Sequence, residues 1–229
     1  FGYMKDTPTK EAWYEFPDIG TEDQYQFFLD NMPLSKLDNY YDEKNVFMTQ
    51  LEEHVTYDDF WQKRGIIQHL KDIKPATMIV GGQFDAEDLY GPYNTYKNIE
   101  TNSDNYNTLV FGPWSHGDWA RIRERQVIGN VHFGDGLSDY FQKNIETKFF
   151  NHFLKGEANG ETGLAEAHMF DTGKKEWESF EQWPPKNTIK ESWFMQPGER
   201  LTQRANRMIA TSDFTSDPKK PVPYSEDIK

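Results

Sequence analysis

Cysteine is absent from the 229 residues, which excludes disulfides and thiolate metal sites but leaves the compartment open, since secreted proteins without disulfides are common. No apolar run approaches the length that spans a bilayer, and the opening FGYMKDTPTK lacks a signal-peptide pattern. Aliphatic residues are scarce: apolar residues make up 36% of the chain while aromatics alone reach 16%. Many rings and little to pack them against are unlike an average self-sufficient domain, so the expectation is a piece of something larger. Positive charge is in deficit as well, with 25 Lys and Arg against 38 Asp and Glu, a net −13 spread along the chain. That balance argues against nucleic acid or an anionic membrane as partner and tolerates an amine-bearing substrate. Internal repeats, low-complexity tracts and an HExxH pair are all missing.

What is present falls into three stretches. Residues 1–74 read as helices and loops. In TEDQYQFFLDNM, Thr21 is the expected cap, with Tyr25, Phe28, Leu29 and Met32 at helical spacing; TYDDFWQKRGIIQHL places Phe60, Trp61, Ile67 and Leu70 on one side. Pro75 ends that pattern. The short continuous apolar runs ATMIVGG and TLVFG (108–112) then read as strands buried on both faces, and the segment between them has room for a helix, giving a βαβ unit. LSDYFQKNIETKFFNHFLKG, residues 137–156, predicts a helix capped by Ser138, striped by Phe141, Ile145, Phe149, Phe150, Phe153 and Leu154, and ended by Gly156. Beyond the polar EANGETG, the short alternating runs of AEAHMFDTGKKEWESFEQWPP and KESWFMQPGERLT predict an incomplete all-β unit over 163–229.

Each of the two strands ends near a single polar side chain suited to chemistry. Asp85 lies three residues past Gly82, and His116 four past Gly112. In an open parallel sheet the crevice beyond the carboxyl ends of the strands collects function, and neighbouring strands lie roughly 5 Å apart. An acid that holds an imidazole fixes its tautomer and stabilises the imidazolium formed when the ring takes a proton. Two other readings stand beside this one. Asp85 is also placed to cap the following helix with His116 a plain loop residue, and Asp85, Glu87, Asp88, His116 and Asp118 offer the oxygen and nitrogen donors of a metallohydrolase.

GGQFDAEDLYGP and LVFGPWSHGDW resemble the acid and histidine blocks of the CocE/NonD-type serine hydrolases, which include α-amino acid ester hydrolases, glutaryl 7-aminocephalosporanic acid acylases and the S15 X-Pro dipeptidyl-peptidases. HVTYDDFWQKRG, YFQKNIETKFFNHFLKG and EWESFEQWPP resemble further segments of that family. FDAEDLYG resembles the ester hydrolase and acylase branch most. The resemblance implies an α/β-hydrolase fold: residues 1–74 as a helical cap, 75–156 as the C-terminal part of the hydrolase domain, and 163–229 as the start of a β-sandwich of jelly-roll type. It implies Asp85 as triad acid and His116 as general base, with no metal and no cofactor. The implied substrate is a small ester, amide or short peptide.

The branch's use of carboxylates to hold an α-amino group makes Asp58 and Asp59 candidate substrate ligands, although both acids also suit a helix start; Trp61 and Trp114 are candidates to line an acyl pocket or to be core. The family's serine sits in a GxSYxG elbow, and no GxSxG occurs here. The expectation is therefore a C-terminal fragment, inactive alone, whose partner is the missing N-terminal part of the same protein, with a homo-oligomer also open. The alternatives retained are an X-Pro dipeptidyl-peptidase of the same family, a non-catalytic binding module and a metallohydrolase.

Overall fold

The computed structural model describes residues 18–40, 46–121, 124–157, 160–205, 209 and 211–221, so residues 1–17 of the expected cap lie outside the described residues. The chain divides into two compact units, 1–65 with 191–229, and 66–190.

The first unit holds α1 (Gln24–Asp30), a 3-10 turn (Leu34–Tyr40), α2 (Val46–Glu53) and α3 (Asp59–Gln62). Asp23, not Thr21, caps α1: its carboxylate accepts the Gln26 N–H at 2.9 Å, while the Thr21 hydroxyl accepts the N–H of Asp23 at 3.1 Å. The helix thus opens two residues later than its sequence suggested, and its buried face shifts with it. Phe27 is the buried ring, set edge-on to Phe28 and Tyr40, whereas Tyr25, Phe28 and Met32 are exposed. The second expected helix is also interrupted. α3 makes one turn only, and Gly65 separates it from a 3-10 turn at Ile67–His69 in the other unit, so Phe60, Trp61, Ile67 and Leu70 do not form one helical stripe.

The second unit is α/β. β1 (Thr77–Gly82), α4 (Tyr90–Asn102) and β2 (Asn107–Gly112) form the expected βαβ unit, with β1 and β2 parallel from Thr77↔Asn107 to Gly82↔Gly112. Every residue of β2 is buried, as the continuous apolar run requires of a strand covered on both faces. Pro92 falls in the first turn of α4, where its missing N–H costs no hydrogen bond. A hairpin that the sequence analysis did not identify follows: β3 (Arg125–Ile128) and β4 (Val131–Asp135), turned through Gly129 and Asn130.

The long helix at 137–156 is three pieces: α5 (Leu137–Phe141), a π turn (Gln142–Glu146) and α6 (Thr147–Lys155). Gly156, at φ +69°, ends it as expected. Ser138 does not cap it; Gly136 holds that place, and the Ser138 hydroxyl is buried inside the first turn.

β5 (Ala167–Asp171) and β6 (Glu176–Phe180) correct the expected domain boundary. β5 pairs in parallel with β2 and β6 antiparallel with β5, giving one mixed sheet in the order β1-β2-β5-β6. These strands extend the β1–β2 sheet and do not begin an all-β unit at 163. The physical reason is burial: Ala167, His168, Met169 and Phe170 are all buried, as a strand inside a sheet demands, while β6, at the end of the sheet, has no buried residue.

The sheet carries a core on each face because successive side chains alternate. Leu109 and Phe111 pack with Tyr96, Ala167 and Met169, while Val110 packs with Trp114, Phe141 and Ile145. Within the first unit, β7 (Phe194–Gln196) and β8 (Arg200–Thr202) form a short hairpin. Among the described residues no helix is long and apolar enough to cross a membrane.

Candidate active site

The site is built where β1 and β2 end together at Gly82↔Gly112. A Cβ on Gly82 would lie 2.3 Å from the Trp114 carbonyl oxygen, so only glycine admits the His loop this close to the acid strand. Pairing then continues into the loops: the Gln83 N–H donates to the Gly112 carbonyl at 2.9 Å and the Phe84 N–H to the Trp114 carbonyl at 3.1 Å. This zipper delivers Asp85 to His116.

Nδ1 of His116 stands 3.0 Å from Oδ2 and 3.2 Å from Oδ1 of Asp85. The carboxylate is buried, and Oδ1 also accepts the backbone N–H groups of Glu87 (2.8 Å) and Asp88 (3.1 Å). Burial raises the Asp85 pKa, but these N–H donors and the imidazole outweigh it and hold the carboxyl below its ordinary value. His116 moves the opposite way, raised chiefly by its hydrogen bond to Asp85 and the charge of that group, with smaller contributions from Glu87 and Asp88. An ionised carboxylate only accepts, so Nδ1 carries the proton and Nε2 of the neutral ring carries a lone pair. With the His116 side chain 49% exposed, the imidazole is oriented on one side and open on the other. Such a group can take a proton from an incoming hydroxyl and return it to a leaving group.

Two acids that the sequence offered only as metal donors flank this ring. Glu87 Oε2 lies 4.0 Å from Nε2, and Asp88 Oδ2 lies 3.9 Å from Nδ1; both side chains are exposed. They lie just before α4, and the pairing of the two loops brings them to the imidazole. Asp85, Asp88 and His116 present donor atoms within 4.8 Å of one another. The fuller convergence expected for a metal is not found, because Asp118 turns away to the Ser115 hydroxyl, 2.5 Å distant. Asp85 is moreover already occupied by the Nδ1 proton and two backbone donors.

The remaining candidates have local roles. Asp58, in the other unit, caps α3 by accepting the Phe60 N–H at 3.0 Å and lies 2.7 Å from Nδ1 of His54, whose ring stacks on Phe60. Asp59 is exposed and sits 3.5 Å from Lys63 one turn along. Trp61 donates its indole N–H to the His54 carbonyl at 2.6 Å. Trp114 is fully buried, its ring against Phe141 and Trp177 at 5.4 and 5.5 Å, so it is core and does not line a pocket of this unit.

Residues 6–118 match the family described as X-Pro dipeptidyl-peptidase (S15 family). A Bacillus anthracis protein provisionally named Xaa-Pro dipeptidyl-peptidase is 23% identical over 141 residues, which is 58% of this chain and 19% of that protein. Among solved structures, an aminopeptidase from a marine sediment Thaumarchaeota archaeon superposes with a TM-score of 0.82 at 26% identity, covering 96% of this chain and 35% of its own. An α-amino acid ester hydrolase superposes with a TM-score of 0.78 at 25% identity, covering 88% of this chain and 34% of its own. The chain thus spans about a fifth of the curated relative and about a third of these structures.

Proposed function

We propose that this chain, whose residues 6–118 match the S15 X-Pro dipeptidyl-peptidase family, carries the acid and the base of a Ser-His-Asp triad and that the whole protein is a serine hydrolase of esters or amides. The observation that carries the reading is the 3.0 Å contact of buried Asp85 with Nδ1 of half-exposed His116. In the proposed reaction Nε2 takes the proton of a serine hydroxyl as the oxygen attacks the substrate carbonyl. The imidazolium, stabilised by Asp85, then protonates the departing alcohol or amine, and water repeats the cycle on the acyl-enzyme. This sequence has no GxSxG, so the serine is assigned to a part of the protein outside these 229 residues, and the chain alone is proposed to be inactive.

Glu87 and Asp88 favour substrates with a free α-amino group. They place one carboxylate near Nε2 and one near Nδ1 of the His116 ring, and an ammonium group prefers such partners to a desolvated apolar surface. The neighbours named aminopeptidase and α-amino acid ester hydrolase are consistent with that chemistry. Glu87 and Asp88 thereby replace Asp58 and Asp59, which have capping and surface roles, as the proposed ammonium ligands. Residues 1–65 are proposed as part of a cap, and a jelly-roll domain is proposed to begin after residue 190.

Labelling of the full-length protein with a fluorophosphonate tests the central reading. The expected result is stoichiometric labelling that His116→Ala abolishes. Undiminished labelling of the His116→Ala protein would overturn it.

A further inference from the structure

We propose that Asp118, acting through Ser115, is a positioning residue for the His116 imidazole. The proposal deepens the function above and rests on it. His116 is tethered by its own side chain to Asp85, yet about half of that side chain faces solvent, so packing does little to hold the ring. Its placement depends on the backbone around it.

That backbone is clamped by a buried carboxylate. Asp118 is 1% exposed. Its Oδ2 accepts the Ser115 hydroxyl at 2.5 Å and the Ser115 N–H at 3.3 Å, while the Asp118 N–H donates to the Ser115 carbonyl at 3.2 Å. Residues 115–118 are therefore closed into a ring with His116 at its outer edge and Gly117, at φ +74°, completing the turn. Arg121 Nη1, 3.5 Å from Oδ1, supplies a compensating charge. Breaking the clamp would leave a buried carboxylate short of donors, which makes the closed turn strongly preferred.

The clamp is fixed to the fold from behind. The buried Ser138 hydroxyl donates to the Asp118 carbonyl at 3.0 Å, and the Gln142 amide donates to the Trp119 carbonyl at 2.9 Å. Phe141 and Ile145, on the same helical run, are buried against Trp114, the residue two before His116. The sheet places Asp85 and this helix places His116; Asp118 joins the second placement to the ring. It also explains why Ser115, adjacent to the general base, is turned away from it.

The test uses the full-length protein and follows hydrolysis of an amino acid ester in Ser115→Ala, Asp118→Ala and Asp118→Asn, with active enzyme counted by fluorophosphonate titration. Ser115→Ala removes the short hydroxyl bond of the clamp without changing any charge, so it separates position from electrostatics. The expected outcome is a kcat per active site lowered about 10- to 100-fold in Ser115→Ala and Asp118→Ala with KM little changed, the size of loss that small misplacement produces. The acid limb of the kcat/KM profile should move to lower pH, because a looser Asp85 contact no longer raises the imidazole. Asp118→Asn, which retains an acceptor for Ser115, should recover part of kcat.

Wild-type kcat per active site and an unmoved acid limb in Ser115→Ala and Asp118→Ala would overturn the proposal, and if Asp118→Ala fails to fold, Ser115→Ala alone decides. Loss of all activity in His116→Ala alongside those results would sink this inference and spare the triad. Full activity in His116→Ala would remove both.

Discussion

Glu87 places a carboxylate oxygen 4.0 Å from Nε2 of His116, the nitrogen left unprotonated by the Asp85 contact on the other ring nitrogen. An exposed acid beside the proposed base would repel an anionic substrate and favour a cationic one. Glu87→Gln in the full-length protein is expected to raise KM about 3- to 10-fold for an ester with a free α-amino group, in keeping with a solvent-screened charged hydrogen bond. The N-acetylated ester should be unaffected or improved. Equal effects on both esters would argue against ammonium recognition, and the preference should weaken as salt is added.

The pH dependence follows from the sign of each shift. In the proposed reaction hydrolysis needs neutral His116, and Asp85 raises that group, so activity should be lost on acidification with a midpoint above the ordinary histidine value of about 6.5. Asp85 is held below its ordinary value and stays ionised throughout that window. Asp85→Asn removes the charge that raises the ring and offers a donor in place of an acceptor, which favours the wrong tautomer. Proton NMR of the His116 ring should show its titration moving to lower pH, and kcat should fall about 10⁴-fold as expected for loss of a triad acid.

Gly82→Ala tests the close approach of the two loops. The added methyl would meet the Trp114 carbonyl at 2.3 Å, and backbone must shift to admit it. A loss of about 1–3 kcal/mol in denaturant unfolding is expected, together with weakened fluorophosphonate labelling in the protein that remains folded. Normal labelling at full stability would show that the strand ends have slack.

Asp58→Ala separates capping from substrate binding. Removing the α3 cap is expected to cost about 1 kcal/mol of stability and to leave KM for an amino acid ester unchanged. Asp59→Asn, at an exposed pair with Lys63, should change stability by less than about 0.5 kcal/mol. A tenfold rise in KM in either variant would restore these acids as substrate ligands.

The βαβ unit and the Asp85–His116 contact were legible because their signals are local. Two continuous apolar runs, each ending in glycine, leave few alternatives to adjacent parallel strands, and the polar residues just beyond them have nowhere else to meet. β5 and β6 were not legible in their place. Alternation shows that a strand has two unlike faces but not which sheet it joins, and the pairing of Leu109 with Ala167 spans more than fifty residues. Glu87 and Asp88, the proposed ammonium ligands, were not singled out for that role because acids just before a helix look the same whether they face solvent or a ligand. The role of Ser138 was hidden similarly: it resembles a cap, yet its hydroxyl reaches a carbonyl twenty residues away.

The π turn at Gln142–Glu146 closes on the Thr147 N–H to Gln142 carbonyl bond, five residues apart. Phe141, Ile145 and Phe149 are buried at intervals of four, a spacing that drifts by about 40° per step in an unbroken α-helix. The wide turn absorbs that drift, much as a leap day keeps a calendar in season. Deleting one residue there would therefore do more than shorten a helix: it would rotate everything downstream by about 100° and force a choice between seating Phe149 and keeping Ser138 and Gln142 behind the His116 loop.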